Sequence, residues 1–257
     1  MLDVNERELM RQVRVVATLV VISFFAFISP TFAAVTIQKP TFTLSLPDGW
    51  VEIPQNVLST IQAELKRQAP NARIPKYDYG FQRETSNKWI EYPYILIQVV
   101  NAGRIQEHQL KSMPKIDLNE RLKDRTTTLQ SIMSNAVVGK MQYDEAAHIV
   151  WITTQSDVAN VGKIQGLSGL IPTEKGFVQV HAYSTESDFQ DYLPIFRQII
   201  TSTTVSPDLA YKPRWSDSSS TLSGIDWEQV AINAIIGGVM GVLIVFLAGI
   251  KRKKNRK

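Results

Sequence analysis

Apolar and polar residues alternate along several short stretches of the chain, and they repeat every three to four residues along others. The alternating or continuously apolar stretches predict strands, at 42–47, 77–81, 94–100, about 138–143, 148–155, 161–169 and 177–183. The helical spacing predicts three helices, at 57–65, about 118–134 and 187–200. This order, βαββαββββα with short turns late in the chain, predicts an α+β domain built on a mainly antiparallel sheet.

The C-terminal part of the sequence has a different pattern. Residues 230–250 form a run of 21 residues without a formal charge. As a helix this run covers about 30 Å, which is the thickness of the hydrocarbon core of a bilayer. Trp227 suits the membrane interface just before it. We therefore predict a transmembrane helix at 227–250.

A basic tail follows this helix. Residues 251–257 carry six Lys and Arg side chains in seven positions. Cations beside a spanning helix stay on the cytoplasmic side. The tail is therefore expected in the cytoplasm, and the preceding domain is expected on the other side of the membrane.

The N-terminal residues indicate export independently. Arg11 and Arg14 precede the apolar run 15–28 and a small-residue site that ends at Ala33. This pattern is typical of a secretory signal peptide, here 1–33. The alternative, an uncleaved first anchor, stays open, although 14 apolar residues are short for a span.

The remaining boundaries follow from composition. Between 201 and 223, 11 of 23 residues are Ser or Thr, which is typical of a solvated linker. The predicted order is a signal peptide at 1–33, an exported domain at 34–200, a linker at 201–226, the transmembrane helix and the tail. The predicted location is the inner (plasma) membrane, crossed once.

The charge belongs mainly to the ends of the chain. The net charge is +4, but 1–33 and the tail together hold nine cations and three acids, which leaves 19 Lys and Arg against 21 Asp and Glu for 34–229. That net of −2 argues against a nucleic-acid-binding face. The chain has no cysteine, so its core and not disulfides must hold the domain together.

The two ends of the domain resemble those of a PsbP-like domain. The opening is "FTLSLPDGW" followed by "VEIP", and the ending is "FVQVHAYSTESDFQDYLPIFRQIITS". Proteins of this type are photosystem II extrinsic subunits and exported bacterial proteins. The resemblance implies an α/β/α sandwich and a non-catalytic binding or assembly role. It transfers no functional residue, and Thr203 stands where the family has a closing aromatic.

Candidate chemistry is sparse. His148 and His181 fall in predicted strands and His108 in a loop or helix start, but a zinc site needs three or four ligands at suitable spacing. We expect His181 to be a hydrogen-bonded or half-exposed sheet histidine. The sequence predicts no catalytic residue, metal site or cofactor. The alternative function is an envelope hydrolase or metal-dependent enzyme that uses His148 or His181.

Candidate contacts are easier to name. Trp89 lies at the tip "ETSNKW" between two predicted strands, where it can contact a partner. Gly237 and Gly241 have the G-x-x-x-G spacing that lets two spanning helices pack as a homodimer. The sequence thus predicts a membrane-anchored binding or assembly module, with the bilayer and an envelope protein as partners and no nucleic acid.

Overall fold

The computed structural model describes residues 34–68, 70, 75–84, 88–119, 133–159 and 161–218. Its helices are α1 (Gln55–Gln68), α2 (Glu107–Ser112) and α3 (Phe189–Ser202). Its strands are β1 (Ala34–Gln38), β2 (Phe42–Pro47), β3 (Trp50–Glu52), β4 (Tyr79–Arg83), β5 (Tyr94–Val100), β6 (Met133–Val138), β7 (Gln142–Asp144), β8 (Ile149–Val158), β9 (Gly162–Thr173), β10 (Gly176–Thr185) and β11 (Thr204–Val205).

One large sheet dominates the domain, in the order β3-β4-β5-β10-β9-β8-β6 with β7 also paired to β8. Strands β8, β9 and β10 follow one another as a meander, and β5 lies on the far side of β10. A small second sheet has the order β1-β2-β11. Every strand pair in the described residues is antiparallel. The predicted α+β class with a mainly antiparallel sheet is therefore confirmed.

The large sheet buries side chains on both faces, because residues along a strand point alternately to opposite sides. One face carries Tyr183 and packs against Leu58 and Leu65 of α1. The other carries Val180 and packs against Phe196 of α3 and against β2 of the small sheet. This explains why β10 reads as a nearly continuous buried run and not as a clean polar alternation.

The region before β8 differs from the prediction. The predicted helix at 118–134 falls largely on 120–132, outside the described residues, but its last residues belong to β6. The predicted strand at 138–143 is two strands, β6 and β7, which both pair with the same edge of β8. Gly139 lies in the break, where a Cβ would come within 2.1 Å of Thr153 Oγ1.

Several short elements were not predicted: β1, β3, α2 and β11. Strands of two to five residues leave too few positions for an alternation to be visible in the sequence. Helix α2 has six residues and buries Leu110 alone, so it has no apolar stripe. Their stability comes from tertiary contacts and not from local preference.

The folded domain extends beyond its predicted end. Helix α3 runs to Ser202, β11 pairs with β2, and Ala210 forms a bridge with Thr173. Much of the described part of the predicted linker, up to Ser218, is therefore attached to the domain. Composition could not show this, because the attachment depends on residues that are distant in sequence.

No helix among the described residues has the length and apolar character needed to cross a bilayer. The predicted signal peptide, transmembrane helix and basic tail lie outside the described residues, as do Gly237 and Gly241. Their roles stay predictions.

We expect Gly169→Ala to destabilise the domain. A Cβ at Gly169 would lie 2.3 Å from Ile200 Cγ2 of α3 and 3.3 Å from Ile149 Cγ2. Ile200 is fully buried, so the helix must shift, and such overpacking costs about 1–3 kcal/mol. Urea unfolding should show this loss in the free energy of unfolding.

A double-mutant cycle provides the control for this contact. Ile200→Ala removes the methyl group that the new Cβ would meet, so Gly169→Ala should cost less in that background. Strictly additive effects of the two substitutions would contradict the proposed clash.

Candidate functional site

Arg104 lies at the centre of a charged cluster that joins distant parts of the chain. Its Nη1 and Nη2 atoms each donate to one carboxylate oxygen of Asp217 at 2.7 Å, and its Nε donates to Glu174 Oε1 at 3.1 Å. The side chains of Arg104 and Asp217 are 12% and 4% exposed. A two-pronged pair of this geometry fixes both distance and orientation, and screening by water and salt weakens it little.

The same cluster also holds the backbone of the C-terminal segment. Arg104 Nη2 donates to the Lys212 carbonyl at 2.6 Å, and the Lys212 amide donates to Glu174 Oε1 at 3.1 Å. The Arg214 amide donates to Asp217 Oδ2 at 2.9 Å, and the Arg214 guanidinium pairs with Glu174. We call Arg104, Glu174 and Asp217, with the segment 209–217 that they hold, the C-terminal clamp.

Helix α2 supplies a second set of contacts to this segment. His108 Nδ1 lies 2.8 Å from the Asp217 carbonyl. Glu107 accepts hydrogen bonds from Tyr143 at 3.1 Å and from Tyr211 at 3.2 Å. The Arg104 guanidinium lies 4.7 Å from the centre of the Tyr211 ring, a distance typical of a cation–π contact. Helix α2 therefore contributes polar contacts to the clamp as well as Leu110 to the core.

The clamp changes the titration of its own groups. The hydrogen bonds from Arg104 lower the pKa of Asp217 to about 2, and the same bonds raise the pKa of Arg104. Burial alone would raise the pKa of Glu174, but hydrogen bonds from the Lys212 backbone and from Arg104 lower it. The ion pairs of the clamp therefore remain charged throughout the neutral range.

Sequence reasoning missed the clamp. Arg104 and Asp217 are 113 positions apart, and no local pattern links residues so distant. The available signal was the run Tyr-Lys-Pro-Arg-Trp at 211–215, which differs from the Ser- and Thr-rich residues around it. What the clamp can do is mechanical: it fixes the position of the segment 209–217 on the domain.

The predicted contact residue Trp89 lies in a turn with unusual backbone geometry. Its side chain is 38% exposed, and the next residue, Ile90, is buried with φ of 63°. Positive φ is strained for a β-branched residue. The buried side chain of Gln82 holds this turn, because its Nε2 donates to the Lys88 carbonyl at 2.8 Å and its Oε1 accepts from the Ile90 amide at 2.5 Å. We call residues 88–90 the Trp89 turn.

His181 lies in the interior as a hydrogen-bonded sheet histidine, the first of the two predicted alternatives. Its side chain is fully buried, and its Nδ1 is 2.7 Å from Ser168 Oγ on the neighbouring strand β9. Its Nε2 has no hydrogen-bond partner among the described residues. The rings of Tyr77 and Tyr183 lie 6.3 and 6.2 Å away. Burial lowers the pKa of His181 to about 3, so the ring is neutral at ordinary pH.

The three histidines do not come together. His148 precedes β8, His181 lies in β10, and β9 separates these strands. His148 Nδ1 instead lies 3.0 Å from the Tyr143 hydroxyl, beside the clamp. Within the described ranges, no three His, Asp or Glu side chains are arranged as a metal site.

Comparisons with known proteins give likenesses of fold. No protein-family model and no curated protein sequence matches the chain. The structure is similar to the solution structure of cyanobacterial PsbP (CyanoP) from Synechocystis sp. PCC 6803, with a TM-score of 0.45 and 11% identity over 70% of this chain and 96% of that one. It is also similar to LpqN, "involved in cell envelope biogenesis of Mycobacterium tuberculosis", with a TM-score of 0.31 and 13% identity over 69% and 92%. The first is a PsbP protein, the kind that the two ends of the domain resemble. Both likenesses concern the fold and say nothing of what this chain binds.

Arg104→Lys is expected to loosen the clamp. Lysine keeps the positive charge, but one ammonium group cannot replace all the hydrogen bonds of the guanidinium. Those bonds go to the two carboxylate oxygens of Asp217, to Glu174 and to the Lys212 carbonyl. We expect a loss of about 1–3 kcal/mol in the free energy of unfolding. Amide hydrogen exchange should also become faster at Lys212 and Arg214.

Arg67→Lys is the matched control. Arg67 pairs with Glu64 on the exposed surface of α1, and its side chain is 71% exposed. Such surface pairs contribute little to stability, because water and salt screen them. Equal effects of the two Arg→Lys substitutions would show that the clamp does not hold the segment.

Burial of His181 predicts a pH dependence of stability. The pKa of His181 is about 3 in the folded state against 6.5 in a model compound. Between these values the unfolded chain binds a proton that the folded chain does not, so stability falls as the pH drops below 6.5, by at most about 1.4 kcal/mol per pH unit. Asp217, shifted from 3.8 to about 2, adds its own loss only below about pH 4.

The measurement is the slope of the free energy of unfolding between pH 6.5 and about 5.5, above the range in which Glu174 and Asp217, with ordinary pKa values of 4.5 and 3.8, take up protons in the unfolded chain. The double variant Ser168→Ala/His181→Leu removes the titrating group together with its partner, so no polar atom of the pair is left unbonded. Its slope should be shallower than that of the wild type by up to one proton. Identical slopes would refute the assignment to His181.

Proposed function

We propose that this protein is a membrane-anchored module whose folded domain lies outside the cytoplasm and binds an envelope protein. The anchoring part of the proposal is supported by the 21 uncharged residues at 230–250, the six cations that follow them and the signal-like start of the chain. The net charge of −2 for 34–229 and the absence of cysteine suit a domain stabilised by its apolar core. In such a module Gly237 and Gly241 provide a contact for a second copy.

The Trp89 turn is the observation that carries the binding part of the proposal. A buried isoleucine with positive φ costs on the order of 1–3 kcal/mol, and such strain persists only where the surrounding structure holds it. Gln82 supplies that hold through its two hydrogen bonds to the turn. The consequence is a partly exposed indole on a backbone that is already fixed before any partner arrives.

A fixed aromatic residue is well suited to recognition. Tryptophan offers a large contact area, and a backbone that is already ordered loses less conformational entropy on binding. Trp89 can therefore serve as an anchor that inserts into an apolar pocket of a partner protein. An envelope hydrolase or metal-dependent enzyme that uses His181 has less support, because His181 is fully buried and therefore out of reach of a substrate in solution; the alternative that uses His148, which is half-buried, stays open.

Site-specific photocrosslinking tests this proposal in the full chain. A photoreactive phenylalanine analogue at Trp89 should give a discrete adduct in native membranes. The same analogue at Val137, which is 51% exposed on β6, should not give that adduct. The same adduct pattern from both positions, or no adduct from Trp89, would argue against Trp89 as the contact.

Gln82→Leu tests whether the held turn matters. Leucine is similar in size but leaves the buried Ile90 amide without its acceptor, at a cost of about 1–3 kcal/mol. The probe at position 89 is the same with and without Gln82→Leu. We expect its adduct to weaken strongly in the Gln82→Leu variant. Urea unfolding identifies variants that remain folded, and an unchanged adduct in a folded Gln82→Leu variant would contradict the role given to the turn.

A further inference from the structure

Trp215 lies on an unusual part of the surface. Its side chain is 96% exposed, more than any other large hydrophobic side chain of the described residues. The neighbouring residues Lys212, Pro213 and Arg214 are exposed as well. We call residues 212–215 the exit surface, because the described chain ends three residues later at Ser218.

The clamp holds the exit surface rigidly on the domain. The backbone of Lys212 is bonded on both sides, to Glu174 and to Arg104, and the Arg214 amide is bonded to Asp217. These contacts use main-chain atoms, so they position the segment without needing the Lys212 ammonium or the Trp215 indole. The backbone around both exposed side chains is therefore fixed relative to the large sheet.

The charge of this region differs from that of the rest of the domain. Residues 34–229 have a net charge of −2. The clamp and the exit surface together contain three cations, Arg104, Lys212 and Arg214, against Glu174 and Asp217. Arg104 bonds both of these carboxylates and Arg214 pairs with Glu174, so the net positive charge lies on the exposed residue Lys212.

The length of chain beyond the clamp limits where the exit surface can go. Eleven residues, 219–229, separate Ser218 from the uncharged run that begins at Val230. A fully extended chain of this length reaches about 40 Å, and a flexible one spans about 18 Å on average. If 230–250 is in a bilayer, the exit surface is the part of the described domain that is tethered nearest to the bilayer surface.

We propose that the exit surface docks on the lipid headgroups of the bilayer that holds the chain's own 230–250 segment. Tryptophan prefers the membrane interface, where its ring is in apolar surroundings and its N–H is hydrated. Lys212 contacts anionic phosphates at the same depth. This inference rests on the anchoring part of the proposed function. Its consequence is that the domain has one defined orientation on the membrane and does not tumble on a free linker.

The absence of cysteine makes a direct depth measurement practical. A single cysteine at Pro213 places a fluorophore on the exit surface while leaving Trp215 intact. A single cysteine at Ser187, an exposed position that follows β10, places it at the other end of that strand. Strand β10 has ten residues, so the two labels are separated by about 30 Å along the sheet.

The full-length protein is reconstituted into vesicles of zwitterionic and anionic phospholipid, and a membrane-impermeant reagent labels only outward-facing domains. Quenching by lipids with a nitroxide near the headgroup should be several-fold stronger for the Pro213→Cys label than for the Ser187→Cys label. Adding Trp215→Ala should reduce the Pro213→Cys signal towards the Ser187→Cys level. Adding Lys212→Glu should reduce it in anionic vesicles and much less in purely zwitterionic ones.

The outcomes separate the two proposals. If the full chain fails to float with vesicles at high salt, the anchoring fails and the docking falls with it. If the chain floats but both labels are quenched equally or not at all, the anchoring stands and the docking is overturned. The docking is also overturned if Trp215→Ala leaves the quenching unchanged.

Discussion

The ion pair between Arg104 and Asp217 determines how the C-terminal end of the described chain is arranged. Both side chains are largely withdrawn from water, so the pair is stable only because its geometry is two-pronged and its remaining donors find acceptors in Glu174 and in the Lys212 carbonyl. The segment from 209 to 217 follows from this constraint. It is held by these polar contacts, and its Tyr211 also packs against the apolar core.

The large sheet provides the rigid base for this arrangement. Its two faces are both covered, by α1 on one side and by α3 with the small sheet on the other. Glu174 lies in the turn between β9 and β10, and Arg104 follows β5, the neighbour of β10. The long antiparallel strands therefore fix the distance between the clamp residues, and the clamp fixes the segment 209–217 relative to the sheet.

Polar groups inside the domain serve different ends. Gln82 is almost fully buried, and its side-chain amide bonds the strained turn beside Trp89 through both its nitrogen and its oxygen. Its burial is therefore favourable, because neither polar atom is left without a hydrogen bond. His181 has one bonded ring nitrogen and loses its proton affinity through burial. The first buried group positions an exposed side chain. The second, His181, stays uncharged in the interior, and the domain therefore loses stability when the pH falls.

The sequence by itself determined the long strands, α3, the α+β class and the exposure of Trp89, because each depends on a local pattern of apolar residues or on turn residues. It also supplied the predictions for both ends of the chain, which depend on length and charge alone. Only the tertiary structure decided that 203–217 is attached to the domain, that His181 is buried and apart from His148, and that Gln82 holds the Trp89 turn. These features arise from contacts between residues as far apart as Pro40 and Ser206, which are 166 positions apart. No local pattern encodes such contacts, since their energy exists only once the sheet has brought the partners together.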